Sequence, residues 1–572
     1  MKDGTSLSLQ TSELFNPTQK LQKRVDKDDY LYFSYGIRPE AWKSAQATFH
    51  FKVSVSEIEG KRESTLFERT LNPHAVEKDQ GWQNSEIPLA HFQNKQIEIS
   101  FQSDVGNCED PAVRESLKKS TLWGGVRIGD FRRKKGDLNL ILISLDTLRL
   151  DHLSGNGYSR PTSPNIDSIA KGGVWFKEAI AQAPWTKPAH MSVLTGLYPS
   201  FHHLDKWLRD EPNEPELSLD IPTLAEVLQR SGYLTQALTG SGWVSAQYGF
   251  CRGFDRFDEY SKKLNGDGHF VFDNGTKWIE NHAKEKFFLF LHTYEAHFPY
   301  RHSHFLKDTT IANQRDEAQY DSGIYYVDGL IGQLRKKLDE LNLTNDTLLV
   351  IFSDHGEELD KRGYWSQHGH TLYDELVRIL LVFYCPKTLP HRTIQNYQAQ
   401  QIDVMPTILS LLNVTNKETH FQGRDLSPIL FGKEQPLESA AISEAVEYGA
   451  EDLYSIRIVD NKKKYKYIFS PSIARPNQIL TSSKEFDPND PVNSYWVRVV
   501  IPSGGRELYD LTADPNETTN LAKRKPELQN ELERRLVEYI RSTHVERENA
   551  GAGSQPSTYN SELREKLKSL GY

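Results

Sequence analysis

The segment LNLILISLD, residues 138–146, determines the fold class of this chain. It is almost continuously apolar until it ends at Asp146. The segments KFFLFLHTY (286–294) and TLLVIFS (347–353) repeat the pattern further along the chain. Apolar runs of this length, without alternation, are typical of parallel strands that helices cover on both faces. They predict an α/β fold with a mostly parallel sheet.

Helical patterns lie between these strands, in TLAEVLQRSG (223–232) and YYVDGLIGQLRKKLDEL (325–341). Strands that alternate with amphipathic helices favour the α/β class. Upstream, polar and apolar residues alternate over 49–55 and 97–101, which indicates half-buried antiparallel strands. Turn-rich spacers separate these runs, so we expect an N-terminal β-sandwich.

Shifts in this pattern divide the chain into four predicted segments. After residue 440 we expect strands near 465–469 and 495–501 and a helix near 526–541, followed by a flexible linker in AGAGSQPST (550–558). The predicted segments are an accessory β-sandwich (1–136), for which glycan binding is one interpretation, an α/β catalytic domain (137–440), a small α+β subdomain (441–545), and a linker with a terminal helix (546–572).

Composition excludes several classes of protein. The 69 basic and 78 acidic residues give a net charge of −9 without a dense basic block, so we expect no nucleic-acid partner. Three scattered cysteines indicate neither a disulfide framework nor a thiolate metal site. No apolar run is long enough for a transmembrane segment. Because MKDGTSLSLQ lacks a signal core, we expect a cytoplasmic protein, or a periplasmic or extracellular one if a targeting segment precedes this sequence. Oligomeric state stays open.

Each of the three apolar strands is followed by residues that bind metals or anions. Asp146 follows the first, His297 comes shortly after the second, and Asp354 and His355 follow the third. Active sites of open α/β sheets form beyond the carboxyl ends of the strands. Two carboxylates and an imidazole suit Zn²⁺ or Mn²⁺ and accommodate Mg²⁺ or Ca²⁺. The sequence therefore predicts a site for one divalent metal ion that needs a further ligand.

Thr186, in APWTKPAHMSVLTG (183–196), has two interpretations that are compatible with each other. The apolar period predicts a helix from about Lys187, with Pro188 in its first turn, so that Thr186 is the N-cap and accepts a first-turn N–H. A helix N-terminus also favours a bound anion, and a metal ion on the hydroxyl would make it a nucleophile. His190 lies one helical turn further and faces the same end.

Other imidazoles and aromatic rings supply further candidates. His297, together with His368 or His370 in QHGHTLYDE, would complete a ring of imidazoles around an anion or a leaving group. The spacing does not distinguish His368 from His370. In the N-terminal segment, tryptophans could line a sugar site, although core packing is the default role of such side chains. These tryptophans are Trp42, Trp82 and Trp123.

Eight motifs occur in the order that they have in a known family. They are LISLDTLRLDHLSGNGYSRPTSPNID, WTKPAHMSVLTGLYP, HTYEAHFPY, SDHGEEL, HGHTLYDELVR, DVMPTILSLL, FQGRDLSPIL and ELYDLTADPNETTNL. From residue 138 to 521 the chain resembles the sulfatase family of the alkaline phosphatase superfamily. The resemblance implies a three-layer α/β/α core, a metal site that includes Asp146, Asp354 and His355, the nucleophile position for Thr186, and contact with the anion or the leaving oxygen for His297 and His370. From the residues themselves, Thr186 is the candidate for the further metal ligand and His190 is a further catalytic candidate.

The chain departs from this family at several positions. Thr186 stands where sulfatases carry the Cys or Ser that becomes formylglycine, and His190 stands where Arg is usual. Thr147 replaces a second Asp, and residues 240–244 replace a Lys-Trp-His segment. Thr293 stands where two-zinc relatives carry Asp, which favours one metal ion.

With these departures, the sequence is consistent with three functions. The first is a metal-dependent hydrolase that cleaves a sulfate or phosphate ester of a small molecule, glycan or lipid head group through a covalent intermediate on Thr186. The second is a phosphodiesterase or a phosphoethanolamine-type transferase with the same nucleophile. The third is a catalytically degenerate protein that binds glycans.

Overall fold

The structure is a computed structural model of the 572-residue chain. It describes residues 5–6, 20–38, 41–42, 47–58, 63–76, 79, 83–205, 213–260, 267–308, 315–359, 368–415, 420–433, 438–445, 453–460, 462–470, 505–550 and 555–558.

Strands and helices follow one another along most of these residues. The strands are β1 (Thr5–Ser6), β2 (Leu21–Arg24), β3 (Tyr30–Ile37), β4 (Thr48–Glu57), β5 (Glu63–Leu71), β6 (Gln83–Pro88), β7 (Gln96–Gly106), β8 (Thr121–Gly129), β9 (Asn139–Leu145), β10 (Val174–Ile180), β11 (Asn213–Glu216), β12 (Leu234–Thr239), β13 (Arg256–Tyr260), β14 (Phe287–Thr293), β15 (Thr347–Ser353), β16 (Arg378–Tyr384), β17 (Arg392–Gln400), β18 (Glu438–Ala445), β19 (Leu453–Asp460), β20 (Lys463–Phe469), β21 (Arg506–Asp510) and β22 (Gln555–Thr558). The α-helices are α1 (Pro111–Lys118), α2 (Pro164–Gly172), α3 (Thr186–Thr195), α4 (Pro199–His202), α5 (Leu224–Arg230), α6 (Gly268–Asn281), α7 (Arg315–Glu340), α8 (Asp374–Val377), α9 (Val404–Leu411), α10 (Ser427–Leu430) and α11 (Pro526–Ala550).

A mixed sheet forms the centre of the molecule and confirms the predicted α/β class. In the described part of the chain its strand order is β1-β13-β12-β14-β9-β15-β16-β10-β17. The three predicted apolar strands are the adjacent parallel strands β14, β9 and β15, and every residue in them is buried. Leu140 and Leu142 pack into one hydrophobic cluster, while Ile141 and Ile143 pack into another on the opposite face. Because helices cover both faces of the sheet, these strands do not alternate between apolar and polar side chains.

Two antiparallel sheets lie before this core, with the orders β2-β7-β4-β5 and β6-β3-β8. They share one hydrophobic cluster, in which the Phe33 ring contacts Phe101 and Trp123 at centroid distances of 5.9 and 5.7 Å. Trp123 is buried in this core, so it does not line a sugar site. Trp42 donates its indole N–H to the Ile37 carbonyl, and Trp82 lies outside the described residues.

The C-terminal part forms a further antiparallel sheet, β18-β19-β20-β21, against which α11 packs. The expected strand near 465–469 is β20, and the expected helix near 526–541 is the first part of α11. The expected strand near 495–501 lies outside the described residues. Within the stretch interpreted as a flexible linker, β22 instead pairs with β11. The hydrogen-bonding partner of β22 is a strand distant in sequence, which the local pattern does not reveal. The segment boundaries themselves remain predictions.

The charged network around Arg457 joins the C-terminal sheet to the central one. The guanidinium contacts Glu178 of β10 and, at 3.0 Å, Asp374 of α8, while Lys466 contacts Asp374 at 2.8 Å. Arg457 and Lys466 are buried, so these ion pairs are largely removed from water. Among the described helices, none combines the length and apolar character that a bilayer-spanning segment requires.

Candidate functional site

The register of the central sheet brings the predicted metal-binding residues together. Leu145, the last residue of β9, pairs with Ser353, the last residue of β15, and the two strands run parallel. Asp146 and Asp354 therefore leave the same edge of the sheet side by side. Their carboxylates and the imidazole of His355 each offer a donor atom, and these atoms lie within 4.8 Å of one another. All three side chains are completely buried.

Hydrogen bonds orient the donor atoms of this group. Asp354 Oδ1 accepts the backbone N–H groups of Thr147 at 3.1 Å and His355 at 2.8 Å. His355 Nδ1 lies 2.8 Å from the Gly356 carbonyl, which can only accept, so Nε2 keeps its lone pair for a ligand. Two buried oxygens, Asp146 Oδ1 and Asp354 Oδ2, accept no hydrogen bond from the described residues. Uncompensated carboxylate oxygens beside a free imidazole nitrogen fit a divalent cation.

The pKa values of the Asp146 and Asp354 carboxyl groups also indicate that a positive charge would stabilise this site. Burial and the neighbouring Asp354 raise the pKa of Asp146 well above its ordinary value. Burial likewise raises the pKa of Asp354 to about 7. Two adjacent carboxylates without a cation are unfavourable in a buried site, so a bound cation would stabilise their ionised forms.

Thr147 adopts a strained backbone conformation at this point. Its φ of 56° lies in the left-handed region, which is uncommon for a β-branched residue. That conformation directs the Thr147 amide toward Asp354, while the hydroxyl donates to the Asp146 carbonyl at 2.8 Å. The Thr147 hydroxyl thus bonds the backbone of its own turn.

Thr186 is the first residue of α3, and Trp185 occupies the N-cap position. The helix therefore starts one residue earlier than predicted. The Thr186 hydroxyl lies 3.3 Å from His355 Nε2, and its proximity lowers the pKa of the Asp146 carboxyl, against the larger effects of burial and Asp354. The interpretation of Thr186 as a cap was therefore wrong, because the hydroxyl faces the carboxylates rather than the first-turn amides.

The predicted imidazoles occupy different surroundings. The His368 ring lies 4.5 Å from that of His355 and 5.1 Å from that of His297, between centroids. Its Nδ1 lies 3.1 Å from Glu357 Oε1. His370, the residue selected from the sequence, is partly exposed, so the geometry favours His368 for the site. The two histidines are only two residues apart, and local spacing could not separate them.

Burial keeps these imidazoles neutral near pH 7. It lowers the pKa of His297 to about 3, with a further contribution from His368, and lowers the pKa of His368 to about 3. Burial lowers the pKa of His190 to about 4. His190 does not face an open anion site as predicted, because its nitrogens lie 2.8 Å from the Thr186 carbonyl and 2.7 Å from Ser144 Oγ.

Several residues at the site were missed by sequence reasoning. His292 Nε2 lies 3.4 Å from Asp146 Oδ2, and Glu357, beside His368, is completely buried with a pKa that burial raises to about 7. Lys187 is buried with its ammonium 5.0 Å from the ring centroids of Trp243 and Tyr248. For Ser144 and His292, the sequence feature that could have indicated them is a polar residue near the end of an apolar strand.

Comparisons with known proteins agree with this architecture. Residues 138–414 match the family model described as Sulfatase. The chain is 24% identical over 518 residues to N-acetylgalactosamine-6-O-sulfatase of Bacteroides thetaiotaomicron, covering 71% of this chain and 93% of that protein. It is 23% identical over 441 residues to arylsulfatase A of Homo sapiens, covering 67% and 83%.

Solved structures show the same fold. One described as a 2-O GAG sulfatase matches with a TM-score of 0.56 at 18% identity, covering 75% of this chain and 99% of that one. Another, in complex with its substrate D-glucosamine-2-N,6-O-disulfate, matches with a TM-score of 0.55 at 19% identity, covering 71% and 98%.

Proposed function

We propose that this chain, whose residues 138–414 match the Sulfatase family model, is a metal-dependent hydrolase of that family in which Thr186 attacks a sulfate or phosphate ester. The observation that carries the proposal is the position of the Thr186 hydroxyl. It lies 3.3 Å from His355 Nε2, beside the Asp146 and Asp354 oxygens that accept no hydrogen bond from the described residues. A hydroxyl beside the donor atoms of a cation site is where a bound metal ion would activate it as a nucleophile.

Asp146, Asp354 and His355 would hold the metal ion, with the Thr186 hydroxyl as a further ligand. When bound, a divalent ion lowers the pKa of a coordinated hydroxyl and stabilises negative charge on the ester oxygens. The ion's identity is open among zinc, manganese, calcium and magnesium, and the single imidazole favours the first two.

The chain's own residues account for the remaining steps. Thr186 Oγ forms a bond to sulfur or phosphorus in line with the departing ester oxygen, and the bond to that oxygen breaks. The Thr186 proton passes to Nε2 of a neutral imidazole of the site, and the imidazolium that forms gives a proton to the leaving oxygen. Water then attacks the same sulfur or phosphorus atom, which releases the inorganic anion and restores Thr186.

His368 is the best candidate for the proton exchange with the leaving group. Glu357 lies 3.1 Å from its Nδ1, so that nitrogen is engaged and Nε2 is the atom that can exchange a proton. His297 Nδ1 bonds the Phe298 carbonyl, so the lone pair of this neutral ring lies on Nε2, the second candidate for a proton acceptor. His297 and His368 together replace the pair of His297 and His370 expected from the sequence.

The substrate is most simply a sulfated sugar or a related small ester. This assignment carries over to this chain the name of one relative, N-acetylgalactosamine-6-O-sulfatase, and the substrate D-glucosamine-2-N,6-O-disulfate bound in a similar structure.

A second candidate is a phosphate ester, and Thr186 itself favours it. A threonine ester cannot expel its anion by elimination, as a formylglycine hydrate does, and must be attacked at sulfur or phosphorus. Phosphoryl intermediates are readily resolved in this way, so a phosphodiesterase or a transferase to an acceptor alcohol fits the same residues.

The test is turnover of matched aryl sulfate, phosphomonoester and phosphodiester substrates by metal-loaded protein. Thr186→Ala should lose at least about a thousandfold in kcat, because it removes the attacking atom, whereas Thr186→Ser should keep part of the activity. Thr195→Ala is the matched control, since Thr195 is a buried threonine of the same helix whose hydroxyl donates to the Met191 carbonyl. Unchanged turnover in Thr186→Ala would sink the nucleophile assignment.

A further inference from the structure

Two buried histidines, His190 and His292, lie directly behind the carboxylates and Thr186. Both side chains are completely excluded from solvent. Their rings meet edge to face, with centroids 4.9 Å apart and planes at 89°. Neither ring belongs to the group of donor atoms that would hold a metal ion. Both rings instead contact the residues that would hold the ion or attack the ester.

His190 links the strand that carries Asp146 to the helix that carries Thr186. Its Nδ1 lies 2.8 Å from the Thr186 carbonyl, which can only accept, so Nδ1 bears the hydrogen. Its Nε2 then accepts the hydroxyl of Ser144, 2.7 Å away and two residues before Asp146. These two bonds fix one neutral tautomer, in which Nδ1 also lies 3.3 Å from Asp354 Oδ2.

His292 has the opposite tautomer, for a similar reason. The backbone N–H of Gly240, which also donates to the His292 carbonyl at 3.1 Å, lies 3.4 Å from Nδ1. An N–H can only donate, so Nδ1 accepts and Nε2 carries the hydrogen. That N–H faces Asp146 Oδ2 at 3.4 Å. Each carboxylate of the pair thus has an imidazole N–H beside one of its oxygens.

We propose that His190 and His292 are positioning residues that hold Thr186, Asp354 and Asp146 in the geometry required for metal binding and attack. The proposal deepens the proposed function and rests on it for the roles of those three residues. Neutral N–H donors behind carboxylate ligands restrict their rotation and stabilise their ionised form without competing for the cation. The tie from Ser144 through His190 to Thr186 also fixes the start of α3 relative to β9.

The test compares variants that delete each contact with variants that keep it. His190→Asn keeps an amide N–H donor near the position of Nδ1. His292→Gln keeps an amide N–H donor near the position of Nε2. Equilibrium dialysis with Zn²⁺, Mn²⁺ and Ca²⁺, followed by metal analysis, gives affinity without any turnover. Kinetics on the best aryl ester give kcat and KM separately, and thermal unfolding reports the structural cost.

His282 supplies the matched control, because its Nδ1 bonds the carbonyl of the residue four positions earlier, Trp278, at the same 2.8 Å at the end of α6. We expect His190→Ala and His292→Ala to lose about 10- to 100-fold in metal affinity and in kcat with a smaller change in KM. His190→Asn and His292→Gln should recover much of that loss. His282→Ala should change only the unfolding temperature.

The outcomes separate this proposal from the proposed function. Reduced metal affinity in the alanine variants supports positioning even if Thr186→Ala proves as active as the wild-type chain. Unchanged affinity and kcat in His190→Ala and His292→Ala overturn the proposal, as does an equal loss in His282→Ala. A wild-type chain that binds none of the three ions also overturns it.

Discussion

Replacing Asp354 by asparagine should stabilise the metal-free protein while it removes metal binding. In the metal-free state, two buried carboxylates lie together and Asp354 Oδ2 accepts no hydrogen bond from the described residues. The amide oxygen of asparagine can still accept the N–H groups of Thr147 and His355, which now lie 3.1 and 2.8 Å from Oδ1. The substitution therefore removes the unfavourable charge and keeps the favourable contacts.

The magnitude follows from the pKa of this carboxyl group, which burial raises from 3.8 to about 7 in the folded protein. A carboxyl group whose pKa is higher in the folded state does not change the free energy of unfolding below pH 3.8. It lowers that free energy progressively as the pH rises from 3.8 to about 7, and the loss is constant above that pH. Each pKa unit corresponds to about 1.4 kcal/mol, so the plateau is roughly 4 kcal/mol. Metal-free wild-type protein should thus lose up to roughly this amount of stability between pH 4 and pH 8 through Asp354.

The assay is urea unfolding of chelator-treated protein at a series of pH values. The free energy of unfolding of Asp354→Asn should match the wild type near pH 4 and exceed it near pH 8. Added Zn²⁺ or Mn²⁺ should reverse the order, since only the wild type gains free energy from the bound ion. The exposed Asp273→Asn serves as a charge-matched control with no expected difference. A variant that is no more stable than the wild type at pH 8 would refute the reasoning.

Three further changes test the structural framework. Gly356→Ala should weaken metal binding, measured by dialysis, because an added Cβ would lie 1.9 Å from the Glu375 carbonyl oxygen and displace the turn after His355; unchanged affinity contradicts this. Arg457→Met should cost about 3–5 kcal/mol in urea unfolding, because it removes the buried partner that Glu178 and Asp374 share, whereas the exposed Arg534→Met should cost under about 1 kcal/mol. Trp123→Ala should lower the unfolding temperature of the N-terminal sheets through a cavity worth about 3–5 kcal/mol, and an unchanged temperature would show that Trp123 is not essential to that core.

Much of the candidate site could be predicted because it follows strand ends. Asp146, Asp354 and His355 come directly after apolar strands, and parallel strands bring their carboxyl ends to one edge. His292 and Ser144 could not be assigned in this way, because a polar residue inside a buried strand has no partner that the local sequence reveals. The choice between His368 and His370 likewise depended on a ring contact with His297 across the site.

The sequence alone determined the α/β class, the family motifs and the identity of the groups that could bind a metal ion. Apolar strands, helical periods and strand-end carboxylates are local features, and short-range physics is enough to interpret them. Only the tertiary structure decided that Thr186 faces His355 rather than capping its own helix, and that His190 is held between Ser144 and Thr186. Those outcomes depend on the direction of side chains from elements distant in sequence, which the packing of α3 against the central sheet fixes and no local pattern encodes.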